Sequence, residues 1–131
     1  MTSQFDHEKL KVYQKSLKFV KWLSCVEDDI PSSVAIRNQL DRASTSIPLN
    51  IAEGNGKWRS KDRCRFFDIA HGSALECAAA LDIATVKELI EEQQAVTGKE
   101  FLQEIVNMLI GLIKANDPQR QFGKKEVSEG E

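Results

Sequence analysis

At 131 residues and 14.7 kDa, the chain is long enough for one domain with a real core and too short for two. Its 41% hydrophobic and 29% charged residues exclude a disordered polymer, and its seven glycines and three prolines exclude a low-complexity one. The net charge of −2 is unevenly spread: residues 1–65 hold 12 Lys/Arg against 8 Asp/Glu, and residues 66–131 hold 6 against 12. Such segregation suits either a basic face for a polyanion or contact between oppositely charged parts of neighbouring subunits.

The opening residues Met1 to His7 carry no apolar h-region, and the apolar run Ala74 to Leu81 is interrupted by Glu76 and too short to span a bilayer. A cytoplasmic protein with no membrane partner is expected. Cys25, Cys64 and Cys77 are odd in number and lack C-x-x-C spacing, which predicts reduced thiols.

A first helix is predicted from about Glu8 to Val26, with Asp6 as its N-cap and Leu10, Tyr13, Leu17 and Val20 as one apolar stripe. The acids Glu27 to Asp29 and then Pro31 stop it. Ser32 or Ser33 is the expected cap of a second helix ending near Glu53, with Gly54 just past its end. Within it Ile36, Leu40, Ala43, Ile47 and Ile51 line one face, while Arg42, Ser46, Asn50 and Glu53 line an adjoining polar one. Pro48 interrupts the run, and the hydroxyls of Ser44, Thr45 and Ser46 are candidates to satisfy the carbonyl it frees.

Residues 54–59 read as a turn. Ser60 is the expected cap of a long third helix reaching about Glu92, with Phe66, Ala70, Ser73, Cys77, Ala80 and Ala84 as its core stripe. Between Ala74 and Ala84 it is apolar almost all round and must be covered all round. Thr97 and Glu100 match a capping box, which places the start of a fourth helix there. Phe101, Ile105, Met108 and Leu112 form one of its stripes; Leu102, Val106, Leu109 and Ile113 form an outer one. Asn116-Asp117-Pro118 ends it. Four amphipathic segments with no alternating strand pattern predict an all-α, antiparallel up-down-up-down four-helix bundle over residues 1–116, followed by a disordered tail over 117–131.

Once the helices are placed, Gln39-Leu40-Asp41-Arg42-Ala43, Ser46-Ile47-Pro48 and Asn50-Ile51-Ala52-Glu53-Gly54 closely resemble the signature of a bacterial four-helix-bundle family. Its founding members are encoded in intervening sequences of 23S ribosomal RNA genes. The run Phe66 to Glu76 is similar to the family's second signature, and the resemblance extends over residues of roughly 10 to 115. It implies a homo-oligomer, usually a ring of five, with no established enzymatic activity. A distant relative, the accessory protein of diversity-generating retroelements, binds a reverse transcriptase and nucleic acid. Here Asp41 stands where the family pattern often has a second basic residue before the alanine, and the strongly basic charge of the retroelement relative is absent.

No catalytic constellation is expected. A di-iron bundle needs two Glu-x-x-His motifs, and only Asp68-x-x-His71 comes close, so neither metal nor other cofactor is predicted. Arg42, Ser46, Asn50 and Glu53 are expected to face Ser73 and Glu76 in a buried polar layer. Such a layer fixes bundle register or, alternatively, lines a ligand site. Trp58 stands among Lys57, Arg59, Lys61, Arg63 and Arg65. Cations interleaved with an aromatic suit RNA or single-stranded DNA; the alternative is a Trp58 lid on the bundle end with solvated cations, or cations paired with Glu88, Glu91 or Glu92 of a neighbour.

Overall fold

Four α-helices account for most of the residues that the computed structural model describes, 4–122, and no strand occurs among them. They are α1 (Lys11–Glu27), α2 (Ala35–Asn55), α3 (Ser60–Val86) and α4 (Glu92–Asn116). The backbones of α1 and α2, α2 and α3, α3 and α4, and α4 and α1 lie side by side, while the diagonal pairs make no close backbone approach. That is the contact pattern of a four-helix bundle.

The core runs along the shared axis. Phe19 and Leu23 of α1, Leu40, Ile47 and Ile51 of α2, Phe67, Cys77 and Leu81 of α3, and Ile105, Leu109 and Ile113 of α4 are fully enclosed. On α3 the phase differs by one residue from expectation at its start: Phe67 fills the core, and Phe66 lies half-buried beneath Lys57 and Arg65. Ile113, expected on the outer stripe of α4, is a core residue.

Helix boundaries depart from the sequence reading for identifiable reasons. Asp6 to Lys9 form a 3-10 turn, and the extended Leu10 (ψ 129°) postpones α1 to Lys11. Glu8 reaches back to the Gln4 and Phe5 amides, so Asp6 is freed to accept from Asn55. Neither Ser32 nor Ser33 caps α2, whose first residue follows Val34. Pro48 stays inside α2, but the hydroxyls of Ser44 and Thr45 donate to the Asp41 carbonyl instead of the one Pro48 frees. Gly54 belongs to the helix; a Cβ there would lie 2.8 Å from the Phe67 ring and 3.0 Å from Phe66 Cβ, so its role is close approach of α2 to α3.

The α3–α4 connection lies earlier than predicted. After Val86 the Leu89 amide donates to Ala84 O and the Glu88 amide to Thr85 O, both at 2.9 Å. These are the two bonds of a Schellman motif, and Glu88, with φ 60°, occupies its left-handed position in place of glycine. Gln94 Oε1 then accepts the Glu91 amide at 2.8 Å and starts α4, leaving Thr97, Gly98 and Glu100 within the helix. Gly98 serves packing: a Cβ would fall 2.6 Å from Leu81 Cδ1 and 2.7 Å from Trp22 Cη2.

Residues 117–122 are not a loose tail. Arg120 grips both Asp68 oxygens at 2.8 and 2.9 Å, and Phe122 packs half-buried against the core between Lys114 and Arg120. The Asp68 hydrogen bond raises the Arg120 pKa. The remainder of the predicted tail, 123–131, lies outside the described residues.

Candidate interaction surface

The expected polar layer contracts to three side chains. Ser73 Oγ donates to Ser46 Oγ at 2.8 Å, and Asn50 Nδ2 donates to that same oxygen at 2.9 Å and to Ser46 O at 2.8 Å. This cluster sits in the α2–α3 seam and pins its register. Arg42 and Glu53 point to solvent, Glu53 lying 3.8 Å from Lys57. Glu76 is also exposed and makes no hydrogen bond among the described residues. With Ser73, Ala74 and Cys77 facing inward, a residue one step before Cys77 is rotated about 100° away, toward the outside. The apolar residues around Glu76 are therefore not all core.

They form an outward stripe instead. Ile69, Gly72, Leu75, Ala79, Ile83 and Val86, at steps of three or four, are all exposed, Leu75 at 53% and Val86 at 80%. Apolar on both faces, α3 is long and apolar enough by composition to cross a membrane, yet its inner face is the bundle core. Gly72 lies mid-helix with open space where a Cβ would project. Glycine costs roughly 1 kcal/mol against alanine in a helix, and nothing among the described residues requires it here. A second apolar surface lies between α1 and α4, a groove of about 310 Å³ lined by Leu10, Lys11, Val12, Met108, Gly111 and Leu112. Gly111 also has open space at its Cβ position.

The basic segment divides by role. Arg63 donates to Asn55 O, Asn55 Oδ1, Lys57 O and Asn116 Oδ1 at 2.7 to 3.2 Å, tying the end of α2 and the end of α4 to α3. It is a structural cation. Lys57 and Arg65 flank the Phe66 ring, while Arg59, Lys61 and Arg65 are exposed. Trp58 is 99% exposed and caps nothing, contrary to the lid expectation.

Among the described residues no group of three His, Cys, Asp or Glu side chains is placed to hold a metal ion. Cys77 is buried, and burial pushes its thiol up to about 12; Cys64 is raised for the same reason. Neither is an activated nucleophile.

The geometry is that of a four-helix-bundle protein whose distinguishing surfaces are apolar helix faces and one exposed aromatic among cations. The sequence pattern of the family described as "23S rRNA-intervening sequence protein" matches residues 8–111, and the chain belongs to that family. A crystal structure of a protein of unknown function from the S23 ribosomal protein family of Bacteroides thetaiotaomicron is similar, with a TM-score of 0.74 and 26% identity. The match covers 79% of this chain and 98% of that one. No curated protein matches the chain.

Proposed function

We propose that the chain is a non-catalytic module that works by assembling with copies of itself. Short connections between helices that are consecutive neighbours support an antiparallel up-down-up-down course. The carrying observation is the exposed stripe of α3 with its open Gly72. Helices approach closely where a glycine removes the side chain, so a partner surface can seat against Gly72 and bury Leu75 and Ile83. The α1–α4 groove with Gly111 is a different surface. A stripe-into-groove contact would be heterologous, and heterologous contacts that close make rings. A ring of five copies is the expected count.

Light scattering should give a mass near five times 14.7 kDa. Leu75→Glu or Ile83→Glu should yield folded monomer, because a carboxylate buried without a partner opposes association. A wild-type monomer throughout the micromolar range would remove the reading. Ile113→Asp, by contrast, should unfold the chain, since Ile113 is core.

The exposure of Trp58 favours a second reading, in which the module carries RNA or single-stranded DNA on a rim formed by Arg59, Lys61, Arg65 and Trp58. Binding should fall with salt through counterion release, and Trp58→Ala should cost roughly 1–3 kcal/mol if a base stacks there. A low-salt shift assay on intact oligomer with no retained nucleic acid leaves only the assembly reading. If Arg59→Glu and Lys61→Glu instead dissociate the oligomer, these cations pair with a neighbour's acids.

A further inference from the structure

The exposed stripe of α3 and the α1–α4 groove each hold one charge within an otherwise apolar surface, and the two charges are opposite in sign. On the stripe it is Glu76. Ile69, Gly72, Glu76, Ala79 and Ile83 follow one another at steps of three or four and are all exposed, so the carboxylate stands in the middle of the outward face. The other acid between Ile69 and Val86, Asp82, is already held by Lys99 of α4 at 2.7 Å. In the groove the charge is Lys11, which lines it together with Leu10, Val12, Met108, Gly111 and Leu112. Lys15, one turn further along α1, is engaged by Glu104 at 2.9 Å and by the Phe101 ring, and Lys114 lies over Phe122. Glu76 and Lys11 are both exposed, and neither forms an ion pair among the described residues.

In a lone chain water solvates both groups. Once another copy covers the stripe, the Glu76 carboxylate loses that water and needs a donor. Stripe-on-stripe packing cannot supply one. About the middle of the stripe, either two-fold arrangement, parallel or antiparallel, brings Glu76 toward Glu76 of the other copy and dries two like charges together. The groove offers the opposite sign. Lys11 has a flexible stem that leaves its ammonium in water in the free chain and lets it swing over a seated helix. We infer that Glu76 selects the partner surface: it opposes pairing of α3 with α3, and it forms an ion pair with Lys11 of the next copy when the stripe seats in that copy's groove. The inference rests on the assembly reading above and adds to it the pair that sets direction and register, as a polar residue does in a coiled-coil seam. Every copy carries both members, so each gives its stripe to one neighbour and its groove to another, and the contact runs in one direction around the assembly.

The test is a charge swap in the full chain, read by sedimentation equilibrium. Glu76→Lys and Lys11→Glu should each raise the dissociation constant about ten-fold or more, because each sets like charges against one another where the surfaces meet. The double variant, with the signs exchanged, should return to within a few-fold of wild type. Both positions are exposed, and circular dichroism should show all three variants folded. Carbodiimide coupling of mixed light and isotopically heavy chains should join Glu76 to Lys11 between copies, as seen by mass spectrometry. Association indifferent to both single changes, or a double variant no tighter than the weaker single one, overturns the inference and leaves assembly standing. A disulfide joining two copies through Leu75→Cys also overturns it, because the stripes would then face one another. A wild-type monomer removes the assembly reading and this inference together.

Discussion

Gly54 and Gly98 lie on inner helix faces, where a Cβ would collide with Phe67 or with Leu81 and Trp22; Gly72 and Gly111 lie on outer faces with open space at the same position. All four are helical, so all incur a similar backbone penalty. In the inner pair the chain itself supplies the compensation, through close helix approach. In the outer pair it does not, and both lie on apolar surfaces. The difference teaches that one residue type serves two situations in these helices, one in which packing within the chain demands it and one in which the described residues leave the space beside it open.

The largest test of that contrast is Gly54→Ala. With Phe66 Cβ at 3.0 Å and the fully buried Phe67 ring at 2.8 Å, the neighbours have little room to yield. Denaturant unfolding should show a loss of about 2–3 kcal/mol. Gly98→Ala meets the ends of Leu81 and Trp22, which can shift, and should cost about 1–2 kcal/mol by the same measurement. Gly72→Ala should reverse the sign: measured on chains kept dissociated by Leu75→Glu, it should stabilise by up to roughly 1 kcal/mol, yet weaken assembly of the otherwise wild-type chain in light scattering. A Gly72→Ala protein that assembles normally would break the comparison. The smallest effect is expected where glycine is wanted and missing. Glu88→Gly relieves a left-handed non-glycine residue and should raise the melting temperature by a few degrees, equivalent to about 0.5–1 kcal/mol.

Four helices were legible because apolar spacing persists through each of them, and local signals could not move that pattern far. Those signals failed where two causes give one residue type. Thr97-Gly98 resembles a helix start, but Gly98 is glycine because Trp22 and Leu81 press against it. The real α3–α4 turn has no glycine at all, since Glu88 takes the left-handed place. In the polar layer, Ser46, Asn50 and Ser73 can be found from shared helix faces, whereas the apolar neighbours of Glu76 on α3 suggest burial that the structure does not give it, because Leu75, Ala79 and Ile83 face outward. By residue type Glu27 belongs with Asp28 and Asp29 as a stop signal, but its spacing of four from Leu23 is the sign that it enters the core.

The three cysteines lie at three depths, and this makes the native chain its own clock for opening. Cys25 is exposed and should take up a thiol reagent at once. Cys64, buried with its Sγ directed at Ile113 O beside the Arg120 strap, should react when residues 117–122 lift away, and Arg120→Ala should hasten that step alone. Cys77, enclosed at the centre of α3 with its thiol held near 12, should react only when the bundle separates. Mass spectrometry of a labelling time course would then order the local and global openings of the chain without any added probe.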